Sequence, residues 1–265
     1  MVTMAQAAPP ALASDLAGAL DPVLMSRRAG INPDDWQQRV LRSGSRRLLL
    51  NAARQSGKST TVATLALHTA LYEPKALVLI VSPSERQSGE TFRKIVHVYR
   101  ALGRPVAPTS EGALHLELEN GSRVLALPGR EETIRSFSGV RLLILDEAAR
   151  IGDELYRTVR PFLAVSGGRL VALSTPWGKR GWWYDAWVGD QEWERYEIPA
   201  VMCPRIPPAF LEEERASLGP LWFAAEYCCQ FTETTAQLFS YDLVHGAITP
   251  DVRPFAAQID WGGAA

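Results

Sequence analysis

The segment RRLLLNAARQSGKSTT, at residues 46–61, constrains the fold more than any other part of the chain. A short apolar run ends in a loop that closes with Gly57, Lys58 and Ser59, and apolar residues at helical spacing follow. This order of strand, loop and helix points backbone N–H groups and a helix N-terminus at a phosphate group. Lys58 would reach the β- and γ-phosphates of a nucleotide, and the Ser59 hydroxyl would bind Mg²⁺. The full pattern has glycine five residues before Gly57, where this chain has Ala52.

Further apolar runs predict buried strands that alternate with helices. The runs cover residues 75–82, 140–145 and 169–174, and helical patterns cover about 58–72, 84–102 and 154–165. Strands that alternate with helices form a mostly parallel sheet with helices on its faces, so we expect an α/β fold. Residues 113–127 differ, because two alternating segments joined by Asn120 and Gly121 predict a β-hairpin.

Proline and glycine mark short helices on both sides of this region. Before the phosphate loop, helices are expected over 21–30 and 32–44, the second with Asn32 as its N-cap. After about residue 201, helices are expected near 209–217 and 221–230. This C-terminal part is too small to build its own core, so we interpret it as a helical lid or linker packed on the sheet.

An acidic pair, Asp146 and Glu147, follows the apolar strand at 140–145. Ligands of parallel α/β sheets bind at the carboxyl ends of the strands, where this pair and the phosphate loop both lie. Asp146 would coordinate Mg²⁺ through water, and Glu147 would orient and deprotonate the attacking water. Alternatively, the pair only begins an exposed helix. The phosphate loop upstream favours the nucleotide site.

Composition and charge narrow the classes of protein further. The 28 Lys and Arg residues and the 29 Asp and Glu residues give a net charge of −1, so any nucleic-acid contact requires a local basic patch. No apolar run approaches the roughly 18 residues that a membrane span needs, and the N-terminal segment lacks the basic start of a signal peptide. The three cysteines have no metal-ligand spacing, which fits a reducing compartment. We therefore expect no membrane attachment and no secretion.

Three motifs together resemble a known family. RQSGKST at 54–60, LILDEAA at 143–149 and STPWG at 174–178 are similar to the ATPase domain of large terminase subunits, the DNA-packaging motors of tailed bacteriophages. The resemblance covers nearly the whole chain from Asn32. It implies a P-loop NTPase of the RecA-like (ASCE) class, with a mostly parallel sheet flanked by helices and a small helical lid. Arginine is common in this family near the missing glycine, so Arg54 supports the match.

The resemblance also implies residue roles. The nucleotide-binding set is Trp36, Gln37, Arg54, Gln55, Ser56, Gly57, Lys58, Ser59 and Thr60. Gln37 resembles the glutamine that reads adenine. Ser174, Thr175 and Pro176 resemble the coupling motif that senses loss of the γ-phosphate. ATP and Mg²⁺ are the implied cofactors, with Mg²⁺ held by Ser59 and Asp146.

The resemblance offers two candidates for an arginine finger. Arg54, inside the phosphate loop, would act in cis. Arg135 resembles the arginine that acts in trans on a neighbouring subunit, and the alternative is a surface residue on a loop. The sequence leaves the assignment open between the two.

The implied function is an ATPase motor that moves double-stranded DNA into a procapsid. The implied partners are double-stranded DNA, a portal protein that carries a homo-oligomeric ring of this chain, and the small terminase subunit. The implied location is the host cytoplasm, with transient docking on the procapsid. A helicase or translocase of superfamily 2 type is one alternative, although 265 residues leave no room for a second motor lobe. An ATP-dependent assembly switch without steady turnover is another, and an intact Glu147 argues against it.

The domain boundaries are expected as follows: an N-terminal helical extension at 1–30, an ATPase core at 31–200, a lid or linker at 201–254, and the start of an RNase H-like nuclease domain at 255–265. In the family such a nuclease follows the motor, and Asp260 resembles its first metal-binding carboxylate. One carboxylate cannot hold the two metal ions of that chemistry, so no nuclease activity is expected from this chain.

Two smaller features remain open. The segment Ser82, Pro83 and Ser84, with Gln87, resembles a family segment that contacts DNA, with a solvated helix cap as the alternative. The aromatic cluster Trp177, Trp182, Trp183, Tyr184 and Trp187 either stacks on bases or packs in the core or against the lid, and core packing is favoured.

Overall fold

The computed structural model of the chain describes residues 11–129, 134, 137–233, 243 and 246–247. Arg135 and Asp260 lie outside these residues. One compact unit ends at Thr232, and a second comprises residues 233–265, of which four are described.

The first unit contains an eight-stranded sheet. Its strands are β1 (Arg47–Ala52), β2 (Leu77–Ser82), β3 (Pro108–Glu111), β4 (His115–Leu118), β5 (Arg123–Pro128), β6 (Leu142–Asp146), β7 (Arg169–Ser174) and β8 (Glu194–Ile198). The strand order is β3-β4-β5-β2-β6-β7-β1-β8. In this spatial order, every neighbouring pair between β5 and β8 is parallel. The pairs β3–β4 and β4–β5 are antiparallel. The expected mostly parallel α/β sheet is confirmed.

Helices cover both faces of the sheet. They are α1 (Ala11–Leu20), α2 (Pro22–Arg28), α3 (Asp35–Arg42), α4 (Lys58–Tyr72), α5 (Glu85–Ala101), α6 (Asp153–Val159), α7 (Gly181–Val188), α8 (Pro208–Leu218) and α9 (Pro220–Cys228). Successive side chains of a strand point to opposite faces, so Leu48 and Leu50 join one core cluster and Leu49 joins the other. Because both faces are covered, the central strands are largely apolar, with polar residues near their ends.

Several predicted elements are confirmed. Helix α4 and strand β7 have the predicted bounds, and α5 begins after the N-cap Ser84. The predicted hairpin is β4 and β5, with Gly121 at φ +80° in its turn.

Other expectations need correction. The N-cap of α3 is Asp34 and not Asn32, because Asp34 and Gln37 form a capping box. The helix predicted over 154–165 ends at Val159, and a 3₁₀ turn that contains Pro161 follows. The edge strands β3 and β8 were not predicted.

The C-terminal helices pack on the sheet. Phe223 and Tyr227 of α9 belong to the same core cluster as Leu48. This packing fits a lid or linker, and the boundary at residue 200 stays a prediction. In the part of the chain that the structure describes, no helix is long and apolar enough to cross a membrane.

Candidate functional site

The phosphate loop connects β1 to α4 at the carboxyl edge of the sheet. Gly57 is the N-cap of α4 at φ +96°, a left-handed conformation that favours glycine. A Cβ atom there would lie 2.9 Å from Nε2 of Gln37 and 3.0 Å from Nη2 of Arg205, so a side chain at this position would displace the ends of both residues. Lys58 begins the helix and is only 9% exposed.

Asp146 ends β6 and is 4% exposed. The Thr91 hydroxyl on α5 donates a hydrogen bond to its Oδ2, and the backbone N–H of Glu147 donates to Oδ1 over 3.0 Å. Burial raises the pKa of Asp146, and the hydrogen bond from Thr91 opposes this shift. With both oxygens held, the orientation of the carboxylate is fixed.

Glu147 lies beside Lys58. Its backbone is left-handed, at φ +54° and ψ +44°, which is uncommon for a residue with a side chain and is a form of strain found at functional sites. Its Oε1 is 3.8 Å from Nζ of Lys58. The structure thus brings together Lys58, Asp146 and Glu147, whose roles in binding phosphate, binding metal and activating water stay predictions.

Several buried polar atoms at this edge lack a partner among the described residues. Ser82 ends β2 and Ser174 ends β7, the two strands that flank Asp146, and each has such a hydroxyl. The Ser56 hydroxyl, in the phosphate loop, is a third. Unsatisfied buried groups cost about 1–3 kcal/mol each, so these three hydroxyls are candidates to bind water or ligand oxygens.

The same edge fits a magnesium nucleotide. Within the described residues there is no group of three His, Cys, Asp or Glu side chains that could hold a metal ion by themselves. A magnesium ion that is bound by one or two protein oxygens together with substrate phosphate oxygens and water needs no such group. Ser59 at the start of α4 and Asp146 at the end of β6 are the residues that would supply those oxygens.

Helix α5 contributes residues that were not predicted for the site. Thr91 holds Asp146, and Lys94 lies one turn further along the same helix. Burial lowers the pKa of Lys94, and the Asp146 carboxylate opposes this shift. The spacing of three residues that places both on one helical face was the only sequence signal for them.

The residues predicted to contact the base, Trp36 and Gln37, lie in α3, and Gln37 contacts Gly57 of the phosphate loop and Thr61 of α4. Trp36 is buried in the core. Gln37 accepts a hydrogen bond from the backbone N–H of Asp34 (2.8 Å) and donates to the Thr61 hydroxyl (2.9 Å). Both ends of its amide therefore have protein partners and tie α3 to α4. The adenine-reading role of Gln37 stays a prediction.

Arg54 contacts the C-terminal helix α9. Its Nε is 3.3 Å from Oε2 of Glu226, and its side chain is 65% exposed. Its backbone N–H also donates to the Glu226 carbonyl, over 2.9 Å. Both contacts tie the loop to α9, and the role of Arg54 as an arginine finger stays a prediction.

Arg205 is the main residue that sequence reasoning missed. Its Nη1 lies 2.7 Å from Oδ1 of Asp34, and its Nη2 donates to the Ser56 carbonyl over 2.9 Å. No local sequence pattern indicates this contact, because 149 positions separate Arg205 from Ser56.

Two more contacts tie the loop region to C-terminal residues. The Ala53 N–H donates to the Ile198 carbonyl over 2.9 Å, and Nδ2 of Asn51 donates to the Cys229 carbonyl over 2.8 Å. We call these two contacts, together with those of Arg54 and Arg205, the outer side of the phosphate loop. We call the arrangement of Lys58, Asp146 and Glu147 its inner side.

The predicted coupling residues and aromatic cluster are also placed. Ser174 and Thr175 are buried beside β1, with Ser174 paired to Asn51. Trp182 stacks on Tyr156 with ring centroids 3.9 Å apart, which agrees with core packing.

Comparisons with known proteins found one matching family model and two curated relatives. Residues 49–245 match the family model described as terminase large subunit, T4likevirus-type, N-terminal. The large terminase subunit of Thermus phage G20c is 28% identical in a match that covers 80% of this chain and 51% of that protein. The chain thus spans about half the length of the curated relatives it matches.

Solved structures share the fold. The large terminase ATPase domain of Thermus phage P74-26 matches with a TM-score of 0.68 and 22% identity, over 78% of this chain and 97% of that domain. The large terminase of a thermophilic bacteriophage, solved in complex with ADP, matches with a TM-score of 0.61 and 11% identity, over 75% of this chain and 53% of that one.

Proposed function

The chain belongs to the terminase large-subunit family, and from this premise we propose that it is an ATPase motor domain that hydrolyses ATP to move double-stranded DNA into a procapsid. The observation that carries the proposal is the inner side of the phosphate loop. Lys58 is far in the chain from the adjacent Asp146 and Glu147, and the three meet at one edge of the sheet.

Nucleotide binding is supported by the loop and by a structural relative. The large terminase of the thermophilic bacteriophage was solved in complex with ADP. In this chain, the N–H groups of the loop and the positive end of α4 would bind the phosphates, together with Lys58. Ser59 and Asp146 would hold Mg²⁺, which neutralises charge on the β- and γ-phosphate oxygens when bound.

Glu147 would act as the general base for hydrolysis. Its carboxylate would accept a proton from water and align that water with the terminal phosphorus. In this structure, Nζ of Lys58 lies 3.8 Å from that carboxylate, within the range of an ion pair. Asp146, held by Thr91 and by the Glu147 backbone, would keep the metal-binding oxygens in a fixed direction.

The arginine finger is proposed to be Arg54 in cis or Arg135 in trans. Mixing each alanine variant with Lys58→Ala protein separates the two. Recovery of hydrolysis for Arg135→Ala would support action in trans, because the Lys58→Ala subunit still supplies the arginine. An arginine finger is worth about 10³–10⁵ in rate, so recovery is easy to detect. Failure to recover would contradict the trans assignment.

The partners and location follow from the same proposal. They are double-stranded DNA, a portal protein beneath a ring of this chain, the small terminase subunit, and the host cytoplasm with transient procapsid docking. The lid at 201–254 and the start of a nuclease domain at 255–265, with Asp260 as a metal ligand, are proposed on the family resemblance.

Phosphate release tests the proposal. We expect steady hydrolysis of ATP at high protein concentration, stimulation by double-stranded DNA, and loss of both in Lys58→Ala. EDTA should also stop hydrolysis. If the wild-type chain with Mg²⁺ binds nucleotide but shows no turnover at high protein concentration, with or without DNA, the motor is contradicted and the assembly switch is favoured.

A further inference from the structure

Arg205 joins three parts of the chain at the outer side of the phosphate loop. Its guanidinium group binds the Asp34 carboxylate with Nη1 (2.7 Å) and the Ser56 carbonyl with Nη2 (2.9 Å). The planar fork of arginine suits two acceptors at once, whereas an ammonium group is a point charge.

The segment that carries Arg205 is held on both sides. Cys203 and Ile206 are buried in the core cluster that includes β1 and α4. The Ile206 N–H donates to the Cys203 carbonyl over 3.0 Å, and Pro204 and Pro207 restrict the backbone. Arg205 therefore projects from a stiff turn, and its direction toward the loop is built into the fold.

The acceptor Asp34 extends the contact to Gly57. Asp34 is the N-cap of α3, and its N–H donates to Gln37 over 2.8 Å. Gln37 donates in turn to Thr61 over 2.9 Å, and its Nε2 is 3.4 Å from the Gly57 carbonyl. Arg205 thus holds the Ser56 carbonyl directly and the Gly57 region through Asp34 and Gln37.

We propose that Arg205 is a positioning residue for nucleotide binding, which fixes the phosphate loop from its outer side before the nucleotide arrives. This inference rests on the proposed function. A loop that is already in its binding conformation loses less conformational entropy on binding. Because Arg205 binds the loop through a backbone carbonyl, and the ion pair of Lys58 with Glu147 is made without it, its removal should change affinity more than the rate of the chemical step.

The test compares Arg205→Ala, Arg205→Lys and wild type in two measurements. The first is the dissociation constant for a fluorescent ATP analogue, and the second is the hydrolysis rate at saturating ATP. We expect Arg205→Ala to bind about tenfold more weakly, as for the loss of a hydrogen bond to a charged group, with a hydrolysis rate within about twofold of wild type. Arg205→Lys should recover part of the affinity.

A matched control is Arg215→Ala. Arg215 lies in α8 of the same C-terminal region, and its guanidinium packs over the ring of Phe223 at 5.0 Å. This variant also loses an arginine but leaves the loop contacts in place, so its nucleotide affinity should equal that of wild type.

A double-mutant cycle with Asp34→Asn tests the relay. Because Asp34 and Arg205 act as one unit, the double variant should bind nucleotide no more weakly than the weaker single variant. Additive losses would contradict the relay.

The outcomes separate this inference from the proposed function. If wild type binds no nucleotide, both the role of Arg205 and the proposed function are contradicted. If wild type binds and Arg205→Ala binds equally well, only the role of Arg205 falls. A lower melting temperature of nucleotide-free Arg205→Ala with unchanged affinity would identify a purely structural residue and would also overturn the inference.

Discussion

The two sides of the phosphate loop are built differently. The inner side consists of Lys58 at the start of α4, Asp146 at the end of β6 and Glu147 directly after it, with Lys58 and Glu147 forming an ion pair. The outer side consists of backbone and side-chain contacts to residues 198–229, and most of its acceptors are carbonyl groups.

This difference indicates that the two sides have different functions. Side chains on the inner side carry the charges that phosphoryl transfer requires. Contacts on the outer side fix the backbone that presents its N–H groups to phosphate. Variants of the inner side should therefore change chemistry, and variants of the outer side should change affinity or stability.

The largest effect is expected from Glu147→Gln on the inner side. The amide keeps the shape of the side chain but cannot accept a proton as a carboxylate does, so hydrolysis should fall by about 10²–10⁴. Nucleotide affinity should remain within a fewfold of wild type. Phosphate release and binding of a fluorescent ATP analogue measure both. Equal loss of affinity and rate would show that Glu147 mainly shapes the pocket.

Thr91→Val should weaken magnesium binding. The valine is nearly isosteric, and it removes the hydroxyl that donates to Asp146. A hydrogen bond to a charged group is worth about 1.5–3 kcal/mol, so the Mg²⁺ concentration for half-maximal binding of the nucleotide should rise about tenfold or more. Thr91→Ser, which restores the hydroxyl, is the control. An unchanged magnesium requirement in Thr91→Val would show that Asp146 needs no support from α5.

Asn51→Ala should act on stability through the outer side. Asn51 is fully buried, and its amide donates to the Cys229 carbonyl. The variant leaves that carbonyl unsatisfied, which should lower the free energy of unfolding by about 1–3 kcal/mol in chemical denaturation. Hydrolysis per folded molecule should be unchanged. A fall in that rate without a loss of stability would contradict the assignment of stability to the outer side and of chemistry to the inner side.

The smallest effect is expected from Glu226→Gln. The variant removes the ion pair with Arg54, whose side chain is 65% exposed. The Glu226 side chain is only 10% exposed, but glutamine keeps its shape and removes a buried charge. An ion pair with an arginine this exposed contributes about 0.2–1 kcal/mol, so affinity and stability should change little. A large rise in hydrolysis would instead show that Glu226 restrains Arg54 from acting at the phosphate, which a titration of rate against salt would confirm.

The inner side could be predicted from the sequence because its residues occur in short motifs at strand ends. The motif places Lys58 at the start of α4, and the apolar strand before Asp146 indicates that this carboxylate is buried at the strand end. Parallel topology then brings the strand ends together without further information.

The outer side could not be predicted in this way. Arg205 lies in a proline-rich segment with no motif, and 178 positions separate Asn51 from Cys229. The edge strand β8, which places Ile198 next to the loop, has a short and mixed sequence. The N-cap of α3 was misassigned by two residues because Asn32 and Asp34 are both good caps, and the contact between Gln37 and Asp34 decides between them.

The most direct test of this division measures Glu147→Gln and Arg205→Ala side by side. Each needs a dissociation constant for the ATP analogue and a hydrolysis rate at saturating ATP. We predict that Glu147→Gln keeps its affinity and loses its rate, and that Arg205→Ala keeps its rate and loses affinity about tenfold. An Arg205→Ala variant with normal affinity and a rate as low as that of Glu147→Gln would contradict the account.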